Sequence, residues 1–360
     1  MGALVLACGD EDGILRPEVV AASKFIDYGT WSDTTSVCMD DRLARLDRYI
    51  EETSSFLGID PPAQRLSYVW VPEGQQHDDT WPCSNAGGCV RRGDAEYQSI
   101  AYVARDEVVF HELAHAVEIP AFGGSHWVFR EGIAEYLSKP RSIRGATGGF
   151  PAEIAEMLAR DQGSFHDYRL AMHFVGSLIE RDGLEKYLEY RALVPFDGDL
   201  ADFARAHEQV YGEDFTGALA AMDKTELAGL GPHGCDEEIG SERIEIDGSG
   251  EHHLAGECGD GDFFSPGGAP GEGSASKSFW LDLKLSGYYE LTLRGAGSSA
   301  MPSRLAIVSC PGAILPGTAH ATTEETTSSM LLSGPYHMQV WYPAGLAGEV
   351  TLEVELISSF

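Results

Sequence analysis

The stretch FHELAHAVEI, residues 110–119, sets two histidines four positions apart around a glutamate. A helix advances about 100° per residue, so His111, Glu112 and His115 fall within an arc of about 100°. Val109, Leu113, Ala116 and Val117 occupy the opposite side, so one face is expected to bind and the other to bury. Imidazoles at i and i+4 aim two ring nitrogens at one point, which suits the short bonds of a tetrahedral zinc ion. Glu112 then flanks the metal without having to ligate it, placed to take a proton from a zinc-bound water.

A catalytic zinc needs a third protein ligand and an open fourth position. The continuation HExxHxxGxxH is absent, because Glu118 and Ala121 stand at its glycine and last histidine positions. The metzincin subclass is therefore excluded. Downstream stands HWVFREGIAEYLS, residues 126–138, with Glu131 and Glu135 one helical turn apart and Glu131 sixteen positions after His115. This pair of segments resembles the gluzincin zinc peptidases, which include thermolysin and the zinc aminopeptidases. In that family a glutamate on the next helix is the third ligand, commonly in a WxxEGxAxY-like context. Glu131-Gly132, Ala134 and Tyr136 match it, while Trp127 stands one place further from the glutamate and the gap from His115 is shorter than in the best-known members.

The resemblance covers roughly residues 60–225. It implies a thermolysin-like α+β zincin domain holding one zinc through His111, His115 and Glu131, with Glu112 as general base on the zinc-bound water. It further implies that Glu135 accepts a hydrogen bond from a ligating histidine. Tyr168, in SFHDYRLAMHF, is the favoured donor to the developing oxyanion. Tyr168 also fits an ordinary core stripe with Ala171, Val175 and Leu178, and Glu135 also fits an exposed helix position; both alternatives stand. His126, His166 and His173 are lesser candidates, and His252 and His253 lie too far along the chain.

The remaining composition bounds the class. A chain of 360 residues with 43% hydrophobic content accommodates about two domains. Its charge, 25 basic against 57 acidic residues or −32, repels nucleic acid and anionic lipid. No apolar run approaches the roughly 18 residues of a membrane helix. The N-terminal MGALVLACGDEDG resembles the cleavage box of a bacterial lipoprotein signal, which implies export, either to the cell envelope with a lipid on Cys8 or to the extracellular space; a soluble protein with a frayed start is the alternative. With Cys8 set aside, six cysteines (38, 83, 89, 235, 258, 310) suit three disulfides. Cys83 and Cys89 are the easiest pair to close, and complete pairing needs one bridge between the two halves of the chain. The other connectivities stay open.

Four regions are expected: a signal remnant and tail over 1–22, the peptidase-like domain over 23–231, a linker rich in Gly, Ser and Pro over 232–275, and an all-β sandwich, jelly-roll-like, over 276–360. Residues 24–38 look extended, MDDRLARLDRYIEETSSFLG looks helical, and RLSYVWV and SIAYVA look like strands on either side of a loop over 73–98. From HELAH to about 229 the pattern is helical. The alternating segments FWLDLKL, YYELTL, RLAIVSC, YHMQVWY and EVTLEVELI then suggest a sandwich. Asp247, Asp260 and Asp262 are weak candidates for calcium. The implied activity is hydrolysis of protein or peptide substrates, more endopeptidase than aminopeptidase because no GxMEN-like stretch occurs. Alternatives are a non-catalytic peptide- or glycan-binding surface protein and a zinc hydrolase of non-peptide substrates.

Overall fold

Strand pairing in the N-terminal part follows from runs of buried residues. A computed structural model describes residues 17–30, 38–71, 81–83, 87–104, 110–138, 150–160, 165–223, 227, 242–258, 260, 274–295, 303–309, 318–323, 325–343 and 347–359. The chain divides into two compact units, Met1–Trp31 with Asp47–Gly234, and Ser32–Leu46 with Cys235–Phe360. The segment 32–46, which the sequence assigns to the peptidase-like region, thus groups with the second unit. No helix among the described residues is long and apolar enough to cross a membrane.

The first unit opens with β1 (Val19–Ala22), β2 (Ile26–Thr30), helix α1 (Met39–Leu57), β3 (Leu66–Val71), β4 (Gly88–Arg92) and β5 (Ser99–Ala104). The strands form one sheet in the order β1-β2-β3-β5-β4, in which β2, β3 and β5 are parallel and the two edges antiparallel. All six residues of β3 and all six of β5 are buried, the pattern of a parallel strand covered on both faces. On one face Val69, Val71, Ile100 and Tyr102 pack with Trp81 and with Cys83 and Cys89, which are joined in a disulfide. β4 lies inside the segment expected to be loop. Its sequence, GCVRR, lacks an apolar alternation because it is a short edge strand whose pairing is supplied by β5. β1 likewise begins within the expected N-terminal tail.

Eight helices in all are assigned among the described residues, seven of them after the sheet: α2 (Phe110–Phe122), α3 (Trp127–Ser138), α4 (Phe150–Leu158), α5 (Phe165–Asp182), α6 (Leu184–Leu193), α7 (Leu200–Tyr211) and α8 (Phe215–Met222). Tyr49 of α1 stacks on Phe110 at the start of α2, 4.5 Å between ring centroids. Pro120 sits inside α2 and cannot donate to the carbonyl of Ala116 four residues back. Ser99 Oγ, at the start of β5, donates to that carbonyl at 3.2 Å and so ties the helix to the sheet. Sharp helix ends follow from local chemistry: Asp199 and Asp202 form a capping box on α7, and Gly212 ends it in the left-handed conformation. An aromatic cluster of Phe129, Phe174, Tyr190 and Phe203 joins α3, α5, α6 and α7.

In the second unit the described strands form two sheets. β6 (Arg243–Ile246), β8 (Ser274–Leu283), β10 (Arg304–Ser309), β11 (Thr318–Thr322) and β13 (Gly334–Pro343) take the order β11-β10-β13-β8-β6. β7 (Gly250–Glu257), β9 (Gly287–Gly295), β12 (Thr326–Leu331) and β14 (Ala347–Ser359) take the order β12-β9-β14-β7. Both contribute to one buried cluster that includes Phe279, Leu281, Tyr289, Leu291, Met338 and Leu352. The expected linker 232–275 therefore contains two strands, β6 and β7, which owe their pairing to distant partners, β8 and β14. Cys38 and Cys258 form a disulfide 220 residues apart in sequence, both within this unit. Cys8, Cys235 and Cys310 lie outside the described residues.

Helices α3 and α5 pack closely because Gly132 has no side chain. A Cβ there would lie 2.6 Å from the carbonyl oxygen of Ala171 and 2.6 Å from Val175 Cγ2. A backbone oxygen cannot rotate away, so the clash outweighs the helix propensity that alanine gains. Gly132→Ala is expected to lower the unfolding free energy of the first unit by about 1–3 kcal/mol. Urea unfolding followed by tryptophan fluorescence measures it, and an unchanged or higher midpoint would contradict the packing argument.

Candidate metal centre

Helix α2 carries His111, Glu112 and His115, and α3, against which it packs, carries Glu131 and Glu135. From Glu112 to Glu118 helix α2 is buried on every side, rather than on the single face expected, because sheet and helices enclose it. α3 is buried from Trp127 to Leu137. Glu135, for which an exposed position was one alternative, is buried.

Three side-chain atoms converge. His111 Nε2 lies 3.1 Å from Glu131 Oε2, His115 Nε2 lies 3.3 Å from the same oxygen, and the two Nε2 atoms are 3.1 Å apart. Ligands about 2.0–2.2 Å from a tetrahedral zinc lie about 3.3–3.6 Å from one another, so the trio has nearly the span such an ion requires. It is the one such group of His, Cys, Asp or Glu side chains among the described residues.

Charged groups stand behind each of the three. His111 Nδ1 is 3.1 Å from Glu135 Oε1. Arg130 Nε approaches the other oxygen of Glu131 at 3.5 Å. His115 Nδ1 faces Glu118 Oε1 at 3.9 Å, and Glu118 Oε2 is 2.8 Å from Arg191 Nη1 on α6. Among the described residues, four carboxyl groups (Glu112, Glu118, Glu131, Glu135) and two guanidiniums (Arg130, Arg191) are buried together, an excess of two acidic groups, four minus two. A divalent cation balances them, and so do two protons. Without a cation the histidines take the protons. Burial alone lowers the His111 pKa, but hydrogen bonds to Glu131 and Glu135 outweigh it and raise the value to about 10. His115 moves up in the same way, against its own burial, through Glu131 and Glu118. Glu131 falls below the usual carboxylate range, its burial outweighed by the two imidazoles.

Glu112 is placed differently. Its Oε1 and Cγ lie against Gly88 of edge strand β4, where a Cβ would come within 2.7 Å of both. Burial raises its pKa, with the histidines opposing and Glu131 and Glu135 adding to the rise. That environment suits a carboxyl that both accepts and returns a proton. The half-buried Tyr168 on α5 stacks on the His111 ring, 6.0 Å between centroids and 14° between planes. This puts the tyrosine beside the trio.

Two of the lesser histidine candidates are occupied elsewhere. His126 Nδ1 accepts from the Val128 amide at the start of α3, and His173 Nε2 is 3.0 Å from the Met222 carbonyl. The side chain of His166 lies outside the described residues, as does Asp262. Asp260 binds Lys277 Nζ at 2.9 Å, and neither it nor Asp247 joins a metal-binding cluster among the described residues. Sequence reading missed Glu118, Arg130 and Arg191. The i+3 spacing of Glu118 from His115 and the adjacency of Arg130 to Glu131 were the local signals; Arg191 had none.

Comparison with known proteins adds little. No family model matches the chain, and no curated protein does. Among solved structures, the chain has a TM-score of 0.19 and 7% identity to PliG of Salmonella Typhimurium, a periplasmic inhibitor of g-type lysozyme, over 32% of this chain and 98% of that one. To a family GH115 4-O-methyl-alpha-glucuronidase with specificity for decorated arabinogalactans the TM-score is 0.16 and the identity 8%, over 92% of this chain and 64% of that one. Likenesses at these scores carry no argument.

The pKa shifts fix the sign of a pH effect. The folded value of His111 lies above its unfolded value of 6.5, so the stability it contributes is complete below about pH 6.5 and lost as pH rises through about 10. Glu112, also raised, acts in the same sense from its ordinary 4.5 upward. In chelator, the melting temperature is expected to fall between pH 6.5 and 10, and to fall less steeply in His111→Ala. Equal slopes in a thermal-shift series would rule out this proton site.

Proposed function

We propose that this chain is a zinc-dependent peptidase of gluzincin type, more endopeptidase than aminopeptidase, with a thermolysin-like α+β domain, exported and either extracellular or held at the cell envelope through a lipid on Cys8. The observation that carries the reading is the convergence of His111 Nε2, His115 Nε2 and Glu131 Oε2 within 3.3 Å of one another on adjacent helices, with Glu112 one residue after the first histidine. Zinc held by those three would supply Lewis-acid activation of a water and of the scissile carbonyl.

The chain's own residues supply the rest. Glu112 accepts the proton of the attacking water, and its raised pKa lets it hold that proton and pass it to the leaving amine. Glu135, against His111 Nδ1, fixes the tautomer that leaves Nε2 free to ligate. Tyr168 donates its hydroxyl hydrogen to the carbonyl oxygen as negative charge develops there. Buried helices on all sides keep the donor set at fixed spacing, so little reorganisation accompanies the reaction. The β-rich unit has a binding or stabilising role. Two disulfides agree with an oxidising compartment, extracellular or periplasmic.

Native mass spectrometry of the purified chain is expected to show one zinc, lost or much weakened in His111→Ala and Glu131→Ala. A peptide library is then cleaved by the wild type, and Glu112→Gln lowers the rate by roughly 10²–10⁴-fold while retaining zinc. Absence of zinc at saturating metal would remove the proposal.

A further inference from the structure

We infer that Glu118 and Arg191 form a positioning relay for His115, an inference that rests on the zinc reading of the His111–His115–Glu131 trio. Glu118 lies three residues after His115 on α2, so both side chains share one face of the helix, and both are fully buried. A carboxylate taken so far from water needs partners for both of its oxygens. Oε2 has Arg191 Nη1 at 2.8 Å. Oε1 is turned to His115 Nδ1, at 3.9 Å. This is outside hydrogen-bond range, and a closing movement of about 1 Å converts it into a bond. The carboxylate is thus divided between a guanidinium that neutralises it and an imidazole that it can orient.

Arg191 is itself anchored. It comes from α6, is 4% exposed, and its Nη2 donates to the carbonyl of Gly123, the residue just past the end of α2, at 2.9 Å. One guanidinium therefore holds both Glu118 within the helix and the turn that ends it. This holds the carboxylate at the depth of His115. With Nδ1–H directed to Glu118, the lone pair of His115 Nε2 is directed to the point that His111 Nε2 and Glu131 Oε2 also face.

A buried ion pair could serve stability alone, but such pairs are poor at it: an apolar pair of similar shape commonly does as well or better. The pair's place behind a ligand points instead to orientation. It also differs from the device behind His111. Behind His111 stands the carboxylate of Glu135, whereas behind His115 the carboxylate of Glu118 is itself neutralised by Arg191. His115 is oriented without adding to the charge that the metal must balance.

The test uses the full chain, zinc itself and a chromophoric chelator in competition. Two variants are compared with the wild type: Glu118→Gln, which keeps the shape, and Glu118→Met with Arg191→Met, which removes both charges and leaves neither one orphaned. Each is expected to bind zinc roughly 10–100-fold more weakly, with an altered visible spectrum when cobalt(II) replaces zinc, while the metal-free double variant melts no lower than the wild type. A purely structural pair would give the opposite result: zinc affinity within about threefold of the wild type and an unchanged cobalt spectrum in both variants, which would overturn the relay and leave the zinc site standing. A wild type that takes up no zinc would remove the site, and the relay with it.

Discussion

Four carboxylates buried within one small region of the first unit are the constraint around which that unit is arranged. Charge in a protein interior is tolerated only where it is paired, and here the pairing is spread over three helices. Arg130 comes from α3 itself, Arg191 from α6, and the two imidazoles from α2. Removing any of these partners leaves a buried carboxylate with fewer groups to balance it. The helices must therefore be placed together or not at all. That explains why apolar packing is so close where the charges are, with Gly132 admitting the α5 backbone beside Glu131 and Gly88 admitting Glu112 against the sheet edge.

The sheet supplies the fixed reference for those helices. β3 and β5, buried along their whole length, cannot shift register without moving every side chain to the other face. The hydroxyl of Ser99 then locks α2 to β5 at the carbonyl that Pro120 leaves unbonded. Position thus passes from strand register to helix depth, and from helix depth to three ligand atoms within 3.3 Å of one another.

What could be read from the sequence was what is short in range. HELAH and EGIAEY carry their spacing within one or two helical turns, and strands β3 and β5 announce themselves as short, largely apolar runs. β4 was not legible: GCVRR has no pattern of its own, and only its partner makes it a strand. The same holds for β6 and β7 in a segment rich in Gly and acid, since their inward residues Ile244, Ile246 and Leu254 are few and their partners are far along the chain. Glu118 could be read only as the wrong residue for a metzincin. Its use depends on an arginine 73 positions later, from 191 minus 118, and nothing local links the two.

The bridge between Cys38 and Cys258 gives the molecule a timetable. Cys83 and Cys89, six positions apart, can meet as soon as both have emerged, whereas Cys38 must wait for 220 further residues. The short bridge can therefore close before the long one, and until Cys258 is at hand the Cys38 thiol stays open to exchange with either of the earlier pair.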